Sequence, residues 1–367
     1  MEKTAFRGTL GLSVAMGIGR FFYTPVLPLM ILALTWSGGQ SAAVATSNYV
    51  GYLVGAVAMS RGWLRPSNLL LRISLVASTV LLALVPPSTA LPWLITIRLI
   101  AGIFSAVIFV CVTQPAERIL RQPRSVGVMY GGVGLGIVLS GLLVTTLGKA
   151  LSWSNLWFAA AVLSAVLSAV AWFWPIDAAK PATARHDASG QTVSALQGAL
   201  FKAGYFFEGF GYIIIGTYLV VLAGPKFGPS AAALTWIAAG LAALPSTIVW
   251  SHIAATYSRR RALILCYSLQ FVGALAALFG SSTVGLFVAA LLFGGTFMGI
   301  TMLSVSTGTN NHIPNASATL TTWYSLGQVV GPALVGQFLG HNIQGSFVLA
   351  AVAIALAAGL SISARLA

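Results

Sequence analysis

Acidic side chains are almost missing from this chain. Of 367 residues only 5 are Asp or Glu, and charged residues of both signs make up 7%, against roughly a quarter in soluble domains. A water-facing surface cannot be covered at that charge density, whereas a lipid-facing exterior needs no charge at all. Cysteine is scarce as well. Cys111 and Cys266 lie in or beside apolar runs without a partner motif, so neither a disulfide nor a metal site is expected. The histidines, His186, His252, His312 and His341, fall in loops or near helix ends. No nucleophile–His–acid set converges in one span, which argues against an intramembrane enzyme. A Gly-x-x-x-x-Gly-Lys phosphate loop is also lacking, so no nucleotide and no other cofactor is expected.

What is present is apolar. Hydrophobic residues make up 58% of the chain and glycines number 39, and Gly lets transmembrane helices approach closely. With ~20 residues needed to cross the hydrocarbon, the length accommodates about twelve spans. Apolar runs predict helices at 6–34, 41–60, 68–86, 90–114, 125–148, 153–175, 199–223, 229–252, 262–280, 283–306, 317–340 and 345–364. The fold class expected is an all-α membrane protein. The one long polar stretch, 176–198, holds Lys180, Arg185 and Asp187. It reads as a cytoplasmic linker between a six-helix bundle at 1–175 and a second at 199–367. The segment before helix 1 is too short for a signal n-region with its own cleavage site, so helix 1 is expected to be retained.

The net charge of +14 does not predict a nucleic-acid partner, because the Lys and Arg residues are scattered through short turns. With the N-terminus in the cytoplasm, nearly all of them fall on the cytoplasmic side. Only Lys149 and Lys226 fall outside, and Arg20 and Arg98 fall within helices. This is the positive-inside pattern. It predicts an inner (cytoplasmic) membrane protein with both termini inside.

The halves look repeated. Met16-Gly-Ile-Gly-Arg-Phe-Phe-Tyr-Thr-Pro25 in helix 1 aligns with Glu208-Gly-Phe-Gly-Tyr-Ile-Ile-Ile-Gly-Thr217 in helix 7. Gly17 and Gly19 register on Gly209 and Gly211, and Arg20 on Tyr212. Helices 4 and 10 share Gly102-Ile-Phe104 with Gly295-Thr-Phe297. Helices 5 and 11 share a Tyr followed by glycine, at Tyr130 and Tyr324. Two such halves about an axis along the membrane normal, with a site between them, are a transporter architecture.

On Gly17-x-Gly-Arg-Phe-x-Tyr-x-Pro-x-Leu-Pro28 and Gly209-Phe-Gly-Tyr-Ile-Ile-x-Gly-Thr217, the chain resembles the major facilitator superfamily, and within it the YbfB/YjiJ-type branch. The resemblance covers essentially the whole chain and implies a rocker-switch carrier, with no particular substrate. Arg98-x-x-x-Gly102 resembles the helix 4 motif whose arginine is linked to proton coupling. The Gly-rich helix 5 and Gly331-Pro332 resemble the antiporter motif. The chain departs from the pattern after helix 2, where Met59-Ser60-Arg61 has serine at the usual acidic position, and Tyr257-Ser-Arg-Arg-Arg261 lacks an acid too.

Charge inside the membrane is expensive, at ~2.5–3.5 kcal/mol on insertion scales, and persists where it faces protein or water. Glu208 is the one acid predicted in the core. Three readings stand for it: a proton carrier, a static partner of an arginine, or a wet position of no consequence. Arg20 either contacts Glu208 or an anionic substrate, or caps carbonyls freed by Pro25 and Pro28. Arg98 either couples to protons or snorkels toward the near end of helix 4. Phe21, Tyr23, Tyr205, Tyr212 and Trp236 crowd the same depth, and Asn48, Tyr130, Tyr324 and Gln328 add polar groups; these are candidate substrate contacts, with plain packing the alternative. Gly127-x-x-x-Gly131 and Gly132-x-x-x-Gly136 suit sliding or static contact equally. Gly131, Gly136, Gly331, Pro332, Arg61 and Glu117 are the gating candidates. The expected function is secondary active transport of an organic anion, zwitterion or drug-like molecule, driven by protons, by a monomer in the bilayer. An uncoupled facilitator or channel is the alternative, and Glu208 discriminates between them.

Overall fold

The computed structural model describes residues 2–177, 193–279, 282–335 and 342–366, and among these there are helices and no strands. The helices are α1 Glu2–Leu34, α2 Gly38–Ser60, α3 Asn68–Ala83, α4 Leu91–Leu120, α5 Pro123–Leu147, α6 Trp153–Ala171, α7 Ala195–Val220, α8 Ala233–Thr256, α9 Arg259–Phe279, α10 Thr283–Asn310, α11 Ala316–Leu334 and α12 Ile343–Ser363. By length and composition, 10 of them can cross a membrane. Helix α3 is apolar but has 16 residues, and α11 is diluted by Ser, Thr, Tyr and Gln.

Starts are set by serine. Ser37 with Gln40 and Ser194 with Gln197 form capping boxes at α2 and α7, and Ser67, Ser152, Ser258 and Ser282 cap α3, α6, α9 and α10, each hydroxyl taking an otherwise unpaired N–H. These caps move several starts a few residues ahead of the sequence expectation, since the apolar run begins one turn after the cap. Helix α3 ends at Ala83 and α6 at Ala171, earlier than expected. Most of the expected linker, and residues 336–340 of the helix expected at 317–340, lie outside the described residues. Helical geometry runs unbroken over Ala195–Thr256, a length of ~93 Å if straight. Yet Gly216 packs on Phe293 while Gly240 faces Ile137, and Ala239 meets Gly294. The two apolar stretches, α7 and α8, therefore both reach α10 at the same level.

The halves, α1–α6 and α7–α12, pack alike. A methyl on Gly136 of α5 would strike the Gly17 Cα of α1, and one on Gly327 of α11 would strike the backbone of α7 at Phe206. Only glycine allows such backbone contact. The outer surface carries Leu32, Val162 and Val284 at 80%, 66% and 74% exposure; a surface this apolar is suited to lipid.

Candidate functional site

The centre of the bundle is organised by a break in α1. Residues Ser13–Ile18 form a π turn, in which Gly19 N–H donates to the Val14 carbonyl (2.8 Å) and Phe21 N–H to Met16 (2.9 Å). The carbonyls of Ala15 and Gly17 thereby lose their usual donors. Ser105 of α4 supplies one (2.5 Å) and Ser140 of α5 the other (2.8 Å). Further along, Pro25 has no N–H to give Phe21, so Thr24 donates to that carbonyl instead (3.1 Å). This strands the Arg20 carbonyl. Arg98 Nη2 donates to it at 3.0 Å, and Nη1 to the Gly19 carbonyl at 2.9 Å. The Arg98 guanidinium also lies over the rings of Tyr23 and Trp157. Arg98 is buried and does not snorkel. The carbonyl-capping role offered for Arg20 on sequence belongs to Arg98.

Arg20 itself crosses between the halves. Its Nη2 donates to Gln328 Oε1 of α11 at 2.5 Å. Its Cζ stands 4.3 Å from the Tyr52 ring centre and 5.0 Å from that of Tyr49. The side chain is 2% exposed, and Nε and Nη1 have no partner. Gln328 Nε2 and Trp236 Nε1 are likewise buried without partners. Trp236 packs edge-on to Phe21 at 5.7 Å, again across the halves. The unpaired atoms of Arg20, Gln328 and Trp236 are all donors, an arrangement complementary to an anion.

Beside Arg20 lies a small cavity of about 10 Å³, with room for about one water. Tyr52, Phe109, Tyr205, Tyr212, Phe297 and Tyr324 form most of its wall. Tyr212 stacks on Phe293, Phe297 and Tyr324, and Tyr205 on Tyr324, with ring centres 4.9 to 5.6 Å apart. A much larger recess, about 640 Å³, opens at the end of the bundle that carries the α4–α5 and α8–α9 turns. Glu117, Arg121, Ser251 and Arg259 are on its wall. Tyr130 and Thr113 sit between recess and cavity, and Tyr130 packs on Phe109 at 6.3 Å.

Glu208 is fully buried and faces α9, inside its own half. Gln270 Nε2 donates to its Oε1 at 2.9 Å, and Oε2 has no partner. Among the described residues no contact joins it to Arg20. Tyr324 stands within electrostatic reach of both.

The structure thus brings Arg20, Tyr205, Tyr212, Tyr324 and Gln328 to one place, with Phe21 and Trp236 alongside. Tyr23 points elsewhere, its hydroxyl donating to the Ser41 carbonyl (2.9 Å). Asn48 Nδ2 donates to the Arg98 carbonyl (2.9 Å), inside the α2–α4 contact. Gly131 meets Leu244 of α8 across the halves, Gly136 meets α1, and Gly331, next to Pro332, meets the Phe210 carbonyl of α7. Arg61 is exposed at the end of α2 and makes no ion pair with Glu117 among the described residues. Sequence reasoning missed Tyr52, Phe109, Phe297 and Gln270. Gln270 carried a signal: after Arg261 it is the only amide or charged residue in α9. Tyr52 is one turn from Asn48, on the same face.

The family model described as "Uncharacterised MFS-type transporter YbfB" matches residues 12–366. No curated protein matches. Among solved structures, a mutant of the nucleoside transporter NupG is similar in fold over 100% of both chains, with a TM-score of 0.69 and 12% sequence identity.

Proposed function

The chain belongs to the YbfB-type family of MFS transporters, a multi-pass membrane carrier of small molecules, and from that premise we propose that it moves a small organic anion or zwitterion with an apolar part, coupled to protons, by alternating access. The observation that carries the substrate class is Arg20, buried between the halves with two unpartnered donor nitrogens beside an aromatic cavity. A carboxylate would take Nε and Nη1 as a fork, with Gln328 Nε2 at its side. Tyr52, Tyr212, Tyr324 and Phe297 would hold the apolar part. The cavity is too small for such a ligand in this state, so loading requires the halves to part.

The wider setting follows the same reading. The N-terminal bundle is 1–175, the cytoplasmic linker 176–198 and the C-terminal bundle 199–367. The positive-inside pattern supports both termini in the cytoplasm, at the inner membrane, with the 640 Å³ recess then facing the cytoplasm; the carrier acts as a monomer. Glu208 is the proton site, because no other acid among the described residues lies in the core and a gradient-driven carrier needs a titratable group there. Arg20 acts as substrate anchor, and Arg98 as the residue that positions it.

The test is a thermal-shift screen of the purified protein against aromatic and aliphatic carboxylates, amines and nucleosides, followed by uptake of hits into proteoliposomes under a pH gradient. Carboxylates should stabilise the protein, and Arg20→Lys, which keeps the charge and loses the planar fork, should remove that shift. Stabilisation by amines alone, or by nucleosides equally in wild type and Arg20→Lys, overturns the substrate class. Glu208→Gln should abolish pH-driven accumulation while leaving exchange measurable. Uphill, pH-dependent uptake by that variant leaves an uncoupled role for Glu208.

A further inference from the structure

Glu208 is turned away from the space between the halves, yet a row of unused polar atoms leads from it in the other direction. Glu208 Oε2 and Gln270 Oε1 are buried without partners, as are the Tyr267 hydroxyl and the Ser304 and Ser361 hydroxyls. Ser304 and Ser361 stand close enough to the Tyr267 hydroxyl to interact with it, but at a geometry that falls short of a full hydrogen bond. These groups come from α7, α9, α10 and α12, all in the C-terminal half. Tyr267 and Ser361 also form the inner end of a crevice of about 10 Å³, walled further by Thr307 and Arg260. Arg260 is exposed at the start of α9, and its guanidinium is drawn aside onto the Ile362 carbonyl (3.2 Å).

Buried polar atoms are ordinarily satisfied. A file of them without full hydrogen bonds, ending in a space that holds about one water, is the arrangement of a water-bridged chain. We infer that Glu208 exchanges its proton with the loop-side solution through Tyr267 and Ser361 and the crevice beside Arg260, inside the C-terminal half, without passing through the cavity beside Arg20. The inference rests on the reading of Glu208 as the proton site.

The transfer balances as a relay. A hydronium ion in the crevice gives a proton to the Tyr267 hydroxyl oxygen and is left as water, while that hydroxyl passes its own proton to Glu208 Oε2, directly or through one water. Tyrosine ends neutral and the carboxylate ends protonated; release runs in reverse. The titratable groups around Glu208 are Cys266 and Tyr267 on α9 and Tyr324 on α11. Helices α10 and α12 present the Ser304, Thr307 and Ser361 hydroxyls to this row and carry no titratable side chain themselves, and Arg260 is the charged group at its mouth. Separate paths would let the substrate site and the proton site communicate through α11, where Tyr324 and Gln328 lie one turn apart, without sharing water.

A pH jump on purified protein, followed by the infrared band of the protonated carboxyl, reads this without a substrate. Wild type should gain a band that Glu208→Gln lacks. Tyr267→Phe and Ser361→Ala should slow its appearance by roughly ten- to a hundredfold while leaving its final amplitude. Thr301→Leu, in the cavity wall, should leave the rate unchanged. Wild-type rates in both relay variants, or slowing by Thr301→Leu, overturn the route alone. Absence of any Glu208-dependent band overturns the proton site itself. Circular dichroism melting of each variant separates slow transfer from misfolding, and Ser361→Ala carries the test if Tyr267→Phe fails to fold.

Discussion

Arg20 and Gln328, 308 residues apart in the chain, meet at 2.5 Å in the centre of the protein. The bond ties α1 to α11, and so one half to the other. It uses one of three guanidinium nitrogens and leaves the rest of the fork unpaired. The contact is therefore a hold that a better acceptor can displace.

Replacing that acceptor with a permanent anion should jam the carrier. In Gln328→Glu the carboxylate can take a second nitrogen of Arg20, and a hydrogen bond to a charged group is worth roughly 1.5–3 kcal/mol. Proteoliposome exchange should fall by about tenfold or more, with the melting temperature unchanged or raised. Wild-type exchange would show that the halves do not part at this bond.

Arg98 tests a different property. Lysine can reach one carbonyl where the guanidinium reaches two, so Arg98→Lys leaves either Gly19 or Arg20 unpaired, at about 1–3 kcal/mol. The expected readout is a lower melting temperature with pH-driven uptake retained in proportion to folded protein. A variant that melts like wild type but loses only pH-driven uptake restores the proton-coupling role that the helix 4 motif implied.

The glycines of α5 should divide into two kinds. A methyl at Gly131 would lie 2.6 Å from the Leu244 carbonyl oxygen across the halves, and one at Gly136 would lie 2.6 Å from the Gly17 Cα within one half. Overpacking of this sort costs about 1–3 kcal/mol. Gly131→Ala should shift the α5–α8 distance distribution measured between spin labels, while Gly136→Ala should lower stability and leave that distribution alone. Identical behaviour would remove the distinction between sliding and static seams.

Glu117 shares the recess wall with Arg121 and Arg259, and closure of the recess would bring it against these or against Arg61. An exposed pair of this kind contributes ~0–1 kcal/mol, so Glu117→Gln should change the open-to-closed ratio by no more than about fivefold, toward open. An unchanged spin-label distribution removes Glu117 from the gate.

Orientation can be read from two exposed turns. Trp63, after α2, and Thr89, before α4, lie at opposite ends of the bundle. A cysteine replacing Trp63 should be labelled only from the cytoplasmic side, and one replacing Thr89 only from the other. The reverse pattern overturns the positive-inside assignment.

The helices were legible because the bilayer demands long apolar runs, and Glu208 was legible because one acid in such a run stands out. Partners were less so. For Arg20 the sequence leaves Glu208, an anionic substrate and nearby carbonyls open, because the repeat register gives its depth in α1 and not its direction. The π turn at Ser13–Ile18 adds a residue to one turn and rotates everything after it, which carries Arg20 toward Tyr52 and Gln328. Tyr23 shares its depth with the site aromatics, which is all the sequence shows, and its hydroxyl instead faces Ser41. Phe109 and Phe297 were passed over because a Phe in an apolar helix looks the same whether it lines a cavity or meets lipid.

The break in α1 also bears on how the protein is made. Four carbonyls of α1, those of Ala15, Gly17, Gly19 and Arg20, receive their hydrogen bonds from α4 and α5. Both helices are synthesised later, and lipid offers no substitute donor. Arg98 for its part arrives as a buried cation with no acidic partner among the described residues, needing those same carbonyls. The first span is thus complete only once the fourth and fifth have emerged, so biogenesis requires α1 to be held out of bulk lipid until about the time Ser140 is translated. Truncations of the nascent chain before α4 should leave α1 extractable or protease-sensitive, and chains that include α5 should not.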